Sequence, residues 1–315
     1  MPRQTPNVKI AQTRVFGAEI ELHGNTFDET RARTEQQAIE RGLTLVHPFD
    51  DERVIAGQGT LGLEILEQLP RAGVIVVPVG GGGLISGIAM AVKSVRPDVR
   101  VVGVQMERFA GAWQAWVRGP ERGDHAMPPA AAGAGAIATV AEGIAVKTPG
   151  AHTAALIRAY VDDFVLVSEQ DVEQAVFQLL EIEKTVVEGA GAAPLAAVVG
   201  HADRFRYGDV VLVLSGGNID MMMLTWVLQR GLHRTRRLVR IAVEIADGPN
   251  GLADLTRHLA DLDSTVVELE HRRLMQSSSV RSTVVEVLLQ LRGEEQLEQI
   301  LSALEAAGYQ VDRVE

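Results

Sequence analysis

An apolar run that ends in four consecutive glycines constrains the fold of this 315-residue chain more than any other feature. Residues 73–79 are mostly valine and isoleucine, which is typical of a buried strand, and residues 84–93 have the pattern of a helix. The residues between them are Gly80, Gly81, Gly82 and Gly83. In such a turn several backbone N–H groups converge on one anion, and glycine permits both close approach and positive φ values. The pattern predicts a phosphate-binding loop; a tight turn that binds nothing is the alternative.

The residues that follow the glycines narrow the choice of phosphate site. No Gly-Lys-Ser or Gly-Lys-Thr follows, so the nucleotide P-loop is excluded, and the G-x-G-x-x-G dinucleotide pattern is not matched convincingly. The sequence of residues 80–87 resembles the phosphate cup of fold-type II pyridoxal-phosphate enzymes, the group that holds the threonine and serine dehydratases. This resemblance implies pyridoxal 5′-phosphate as the cofactor and adds Leu84 to the four glycines as a phosphate contact.

Two further segments resemble parts of the same family that surround the cofactor ring. Residues 139–146 resemble the segment beside the ring, which implies that Gly143 lies there. Residues 209–214 have the pattern of a strand and lead into Ser-Gly-Gly-Asn, and polar groups at the carboxyl end of a parallel strand lie where ligands bind. By resemblance Ser215 hydrogen-bonds the pyridine nitrogen and Gly216 lets the ring lie close. A helix cap is the alternative role for Ser215.

Residues 47–50 (His-Pro-Phe-Asp) and 55–60 (Ile-Ala-Gly-Gln-Gly-Thr) also match the dehydratase family almost letter for letter. Considered without the resemblance, Gln58 and Thr60 favour a structural role. Thr60 is then expected to cap a helix whose entry is interrupted by glycine.

Glu188 raises the question of a metal ion. It matches a glutamate that binds a divalent cation in metal-dependent relatives, together with a backbone carbonyl four residues on and a carboxylate six residues on. Pro194 occupies the last of these positions, so an oxygen-rich cation site would lack one ligand. We expect no metal.

The chain contains four lysines, and none has the context that pyridoxal chemistry needs. They are Lys9, Lys93, Lys147 and Lys184. The family carries the lysine that attaches the cofactor in a Ser-x-Lys-x-Arg-Gly motif, and a later Ser-Gly-Asn-His loop faces the substrate carboxylate. Neither motif occurs here, so we expect no catalytic residue in this chain. A misplaced start, a separate chain and a non-catalytic remnant stay open as explanations.

The order of predicted elements divides the chain into three parts. Residues 1–44 resemble the end of the family's small domain, which implies an N-terminally truncated fold. Strands and helices alternate in residues 45–235, which predicts a large α/β domain with a parallel sheet and helices on both faces. Residues 236–315 are expected to form a separate C-terminal domain.

Some local features refine this division. The first part should contain helices at residues 8–16 and 28–41 with a strand at 18–23 between them. Residues 111–138 are rich in alanine, glycine and proline, which predicts a long loop. The basic run at residues 230–240 is expected to be a solvated linker.

The C-terminal part has the element order βαββαβ, which is ferredoxin-like. Its first turn resembles that of an ACT domain, a module that commonly senses amino acids. The resemblance implies an amino-acid effector at four residues, Asp247, Asn250, Gly251 and Leu252. A dimerisation module without a ligand is the alternative.

Charge and composition exclude several classes of partner. The net charge of −11 argues against a nucleic-acid-binding surface, and the lack of cysteine excludes disulfides and thiolate metal sites. No stretch approaches the length of a membrane span and no signal peptide opens the chain. We expect a cytoplasmic homo-oligomer with an amino-acid substrate and neither nucleic acid nor membrane as partner.

The resemblance as a whole implies a threonine ammonia-lyase, which converts L-threonine into 2-oxobutanoate and ammonia. A serine dehydratase or an amino-acid racemase of the same fold is one alternative. A non-catalytic protein that senses amino acids through its ACT-like domain is the other.

Overall fold

The computed structural model describes residues 1–3, 5, 7–25, 27–118, 139–272 and 281–314. Its strands form two sheets of four strands each. Within the described residues, no helix is long and apolar enough to cross a membrane.

The first sheet is entirely parallel and carries the segments predicted to bind the cofactor. Its strands are β1 (Ala72–Pro78), β2 (Arg100–Met106), β3 (Asp163–Val167) and β4 (Asp209–Leu212). They lie in the order β3-β2-β1-β4, so that β1 is paired on both sides. Residues Val74 and Val76 enter one apolar core, whereas Ile75 and Val77 enter a second core on the opposite face. The predicted parallel sheet with buried faces on both sides is confirmed.

Helices cover both faces of this sheet. They are α3 (Glu52–Gln68), α4 (Gly83–Val95), α5 (Gly111–Val117), α6 (Ala151–Tyr160), α7 (Glu169–Glu181), α8 (Gly189–Gly200) and α9 (Met221–Arg234). Ile85 of α4 and Ile157 of α6 lie in the core on one face, and Val176 of α7 and Val227 of α9 lie in the other. Helix α7 begins with a capping box, in which Ser168 accepts from the Asp171 N–H and Asp171 accepts from the Ser168 N–H.

The described residues of the N-terminal part form two helices and no strand. The helices α1 (Asn7–Val15) and α2 (Phe27–Arg41) are confirmed, and each is followed by a glycine with positive φ. The strand predicted at residues 18–23 is wrong. In the described part of the chain this segment pairs with no strand. Its backbone bonds to the N-terminus instead, where the His23 N–H donates to Met1 O at 2.9 Å and the Met1 amino group donates to Glu21 O at 2.7 Å.

Helix α3 runs without interruption, which corrects the cap predicted at Thr60. That residue lies inside the helix and donates to the Gly57 carbonyl, while Asp51 accepts from two N–H groups at the true N-terminus. The glycines of α3 allow close packing against α4 instead. A β-carbon added at Gly59 or Gly62 would lie 3.1 Å from a carbonyl oxygen of α4, so the two helices cross at close range.

Two other expectations about loops are corrected. The tryptophans Trp113 and Trp116 lie on α5 and are buried, so the loop predicted at 111–138 begins as a helix; residues 119–138 lie outside the described residues. The basic run is no solvated linker either. Arg230 and Arg234, in the last turns of α9, both pair with the buried carboxylate of Glu173 on α7.

The second sheet is antiparallel. Its elements are β5 (Leu238–Ala246), α10 (Gly251–Asp261), β6 (Thr265–Arg272), β7 (Ser282–Gln290), α11 (Glu294–Ala306) and β8 (Gln310–Val314). The strand order β6-β7-β5-β8 confirms the predicted ferredoxin-like topology. Inward side chains of β5 pack with Leu255 and Leu259 of α10 and with Leu297 and Ile300 of α11.

Candidate functional site

The glycine loop, defined as residues 80–83, joins β1 to α4 and contains a run of unsatisfied backbone donors. The Val79 N–H donates to Val104 O at 2.8 Å and the Ser86 N–H donates to Gly82 O at 3.0 Å. In the described part of the chain, no N–H group from residue 80 to residue 85 has an acceptor. Residues 81–83 are buried, and buried N–H groups almost always have partners. The loop therefore has the donors that an anion at the start of α4 would need.

Close packing explains why these positions are glycine. A β-carbon added at Gly81 would lie 2.3 Å from the Phe49 ring, and one at Gly80 would lie 2.6 Å from the Gly143 carbonyl oxygen. Gly82 has φ +95°, and a β-carbon there would lie 2.8 Å from Ile157. The tight-turn hypothesis thus accounts for the residue type. It does not account for the N–H groups without acceptors.

The motif at residues 47–50 holds the glycine loop from one side. His47 Nδ1 accepts hydrogen bonds from the N–H groups of Phe49 (3.3 Å) and Asp50 (2.7 Å), which closes a turn. The ring of Phe49 packs on Gly81. Asp50 crosses to α6, where its carboxylate accepts from the N–H groups of Ala151 (3.0 Å) and Thr153 (3.1 Å). This motif is therefore structural support for the loop.

Sequence reasoning missed one residue in this support. Thr153 is fully buried in the first turn of α6, and its hydroxyl donates to Gly81 O at 2.8 Å, with Gly150 O at 3.2 Å as a second acceptor. The signal for it was weak, because a threonine near a helix start is common and the loop lies 72 residues away.

A second group of predicted residues gathers around Glu188, which precedes α8. The Glu188 N–H donates to Gly216 O at 2.9 Å, and a β-carbon at Gly216 would lie 2.4 Å from Glu188 Oε1. A β-carbon at Gly143 would lie 3.4 Å from the same oxygen. Since Gly143 also contacts Gly80, the structure brings three predicted cofactor segments together.

Ser215 and Leu84 complete the predicted set. Ser215 lies three residues beyond the end of β4 and is exposed, next to Gly216. It caps no helix, because α9 begins after Asp220, whose carboxylate accepts from Met222 and Met223. Leu84 lies in the first turn of α4 and supplies one of the free N–H groups.

The structure also places the groups that bear on metal and covalent chemistry. Within the described residues, no group of three or more His, Asp or Glu side chains could hold a metal ion, and Pro194 lies inside α8. Lys93 pairs with Asp162, and Lys184 donates to Glu181 O. Lys9 pairs with Glu142, the neighbour of Gly143, at 3.3 Å.

The predicted effector turn is an exposed loop between β5 and α10. The Asp247 N–H donates to Arg281 O at 2.8 Å, and Asn250 precedes the first turn of α10 without capping it by its side chain. A β-carbon at Gly251 would lie 2.2 Å from Ala246 O, so this position requires glycine, and Leu252 packs against the core.

Comparisons with known proteins find one matching family and many relatives. The profile of a family described as pyridoxal-phosphate dependent enzyme matches residues 1–216. The L-threonine ammonia-lyase of Geobacter sulfurreducens is 42% identical over 312 residues, which are 99% of this chain and 75% of that protein.

Two solved structures share the fold. The processed form of threonine deaminase isoform 2 from Solanum lycopersicum has a TM-score of 0.63 at 31% identity, over 72% of this chain and 60% of that chain. Maize serine racemase has a TM-score of 0.63 at 28% identity, over 75% of this chain and 70% of that chain.

Proposed function

Because the chain belongs to the family of pyridoxal-phosphate dependent enzymes, we propose that it binds pyridoxal 5′-phosphate at the glycine loop and serves as an L-threonine ammonia-lyase. One observation carries the binding site, namely the run of N–H groups without acceptors between Val79 and Ser86. The identity with the Geobacter protein supports the reaction and its substrate.

The residues of the glycine loop fit the phosphate of this cofactor. Phosphate oxygens accept several hydrogen bonds, and the start of α4 offers a cluster of free donors together with the positive end of the helix dipole. The first turn of α4 contains no acidic side chain that would repel the anion. Gly80, Gly81, Gly82, Gly83 and Leu84 are the residues assigned to the phosphate.

The remaining residues are assigned to the ring of the cofactor. Gly143 and Gly216 both approach the same Glu188 carboxylate oxygen, so a side chain at Gly216 would collide with it. The Ser215 hydroxyl is assigned to the pyridine nitrogen, where a neutral group does not enforce protonation as a carboxylate would. Pyridoxal phosphate supplies, when bound, the electron-accepting ring that stabilises negative charge at the substrate α-carbon.

The test of this function uses the purified chain, pyridoxal phosphate and L-threonine, with 2-oxobutanoate as the readout. We expect turnover near background, because none of the four lysines lies in the family's lysine motif. Three of them are bonded to other groups, namely Lys9 to Glu142, Lys93 to Asp162 and Lys184 to Glu181 O. A primary amine such as methylamine, added to accept the proton from the substrate α-carbon, should raise the turnover. Saturable cofactor binding without 2-oxobutanoate in either condition contradicts the reaction and keeps the binding site.

An amino-acid racemase is the second candidate function. It is supported by maize serine racemase, whose TM-score equals that of the tomato threonine deaminase. The same incubation with L-serine separates the two functions, because a racemase yields D-serine without releasing ammonia. Formation of D-serine above that of 2-oxobutanoate and pyruvate favours the racemase.

We further propose that the chain has three parts, a small-domain end (1–44), a cofactor domain (45–235) and an ACT domain (236–315), and that it forms a homo-oligomer. The ferredoxin-like strand order supports the last part. Its edge strands and its face without helices favour pairing with a second copy. An amino-acid effector is assigned to Asp247, Asn250, Gly251 and Leu252. Titration of the chain with isoleucine and valine, with Asn250→Ala as the comparison, should give heat only in the wild type, and sedimentation reports the oligomer.

A further inference from the structure

We propose that Thr153 is the positioning residue that fixes the orientation of the glycine loop toward the phosphate. The inference rests on the proposed function, because it concerns how the same loop presents its donors. It begins from the hydrogen bond between the Thr153 hydroxyl and Gly81 O, which joins two segments 72 residues apart.

The peptide unit between Gly81 and Gly82 links this hydrogen bond to an N–H group that is assigned to the phosphate. The Gly81 carbonyl and the Gly82 N–H belong to one planar trans peptide, so they point in opposite directions. When Thr153 holds the carbonyl on the α6 side, the N–H must face the other way. Among the described residues this N–H has no acceptor. A single hydroxyl thus decides which way one donor of the loop points.

Glycine makes such an anchor necessary. Residues 80–83 have no side chains, so their peptide units can rotate more freely than those of any other residue. Gly82 already has φ +95°, a conformation open to several ψ values in glycine. A loop that rotated freely would lose conformational entropy on binding, whereas a fixed loop has lost it already.

Thr153 is itself held on several sides. Its N–H donates to Asp50 Oδ1 at 3.1 Å, and its carbonyl accepts weakly from the Ser86 hydroxyl at 3.4 Å. The side chain is fully buried, and its β-carbon would lie 3.0 Å from a β-carbon placed at Gly82. Its hydroxyl can reach the Gly81 and Gly150 carbonyls without a rearrangement of α6. The anchor is therefore rigid as well as specific.

The experiment compares affinities for pyridoxal phosphate and for pyridoxal, which lacks the phosphate, by equilibrium dialysis of the full chain. The dissociation constant of pyridoxal divided by that of pyridoxal phosphate measures how much the phosphate group contributes to binding. Thr153→Val keeps the shape and removes the hydroxyl, so we expect the ratio to fall by about five- to tenfold. Pyridoxal affinity should not change, and Thr153→Ser should restore the wild-type ratio.

Controls separate this role from a loss of stability. Thr225→Val removes an exposed hydroxyl that donates to Met221 O within α9, and it should leave the ratio unchanged. If Thr153→Val does not fold, Thr153→Ala against Thr153→Ser gives the same comparison. If Thr153→Val weakens the binding of both ligands equally, or leaves the ratio unchanged, the inference is overturned and the proposed function stands. A wild-type chain without preference for pyridoxal phosphate over pyridoxal overturns the phosphate site and the inference with it.

Discussion

The parallel sheet is covered by apolar cores on both faces, whereas the described residues around the antiparallel sheet form an apolar core on one of its faces. On its other face Arg240 pairs with Glu268 at 2.7 Å and approaches Glu286. Strands of the parallel sheet have no free face for polar groups, so its candidate chemistry lies in the loops beyond the carboxyl ends of β1 and β4. We therefore expect substitutions in the loops of the parallel sheet to affect binding, and substitutions in the core of the antiparallel sheet to affect stability alone.

The largest expected effect is the loss of cofactor binding in Gly82→Asp. The new side chain would collide with Ile157 at 2.8 Å, would occupy a position with φ +95° and would place a negative charge beside the phosphate. We expect no saturable binding of pyridoxal phosphate in an equilibrium titration. Gly57→Asp is the matched control, because a β-carbon there meets nothing within 4 Å. Wild-type affinity in Gly82→Asp would remove the glycine loop from the site.

The next effect belongs to the antiparallel sheet. Leu259 is fully buried in its core, so Leu259→Ala should lower the free energy of unfolding by about 2–5 kcal/mol. Urea unfolding followed by circular dichroism measures this, with the half-exposed Val267→Ala as the control. Affinity for pyridoxal phosphate should stay at the wild-type value. A parallel fall in affinity would show that the two sheets do not behave independently.

A smaller effect is expected for Ser215→Ala, which tests the other loop of the parallel sheet. Removing one hydrogen bond to the cofactor ring should cost roughly 1–3 kcal/mol, or about one to two decades in amine-supported 2-oxobutanoate formation. The melting temperature should not change, since Ser215 is exposed. Ser94→Ala removes an exposed hydroxyl that donates to Met90 O within α4 and serves as the control. Unchanged turnover would argue against the ring assignment.

The smallest effect concerns pH and the cap of α3. The pKa of Asp51 lies below its ordinary value of 3.8, first because of its hydrogen bond with the Arg53 side chain and then because of the Arg53 and Val54 N–H groups. A carboxylate with a lowered pKa stabilises the fold above 3.8, and this contribution is lost as pH falls through the folded-state pKa. Wild type should therefore exceed Asp51→Asn in thermal stability at pH 7, and the difference should shrink below pH 3.8 and disappear once the pH has fallen past the lower folded-state pKa of Asp51.

The sequence predicted most of the fold because its patterns are local. Four glycines after a valine-rich run, and the alternation in β5, each depend on neighbouring residues only. The strand expected at 18–23 failed because a strand needs a partner, and pairing is not a local property. The Arg230 run failed for the same reason, because Glu173 lies 57 residues away.

The candidate site was predictable in its segments and not in its supports. Gly80, Gly143 and Gly216 carry family motifs, and the structure brings their segments together. The roles of Phe49 and Thr153 depend on distances between remote segments, which no spacing in the sequence expresses. Positions that hold a loop in place were therefore the ones that sequence reasoning missed.

Helix α9 connects the two sheets. It begins just beyond the loop that carries Ser215 and ends four residues before β5, and its 14 residues span about 21 Å. Arg230 and Arg234 in its last turns both pair with the buried Glu173 carboxylate of α7, which fixes the end of α9 nearest β5 to the helices of the parallel sheet. A disturbance of the antiparallel sheet meets this anchored end before it can reach Ser215, so α9 insulates the candidate site from the C-terminal part.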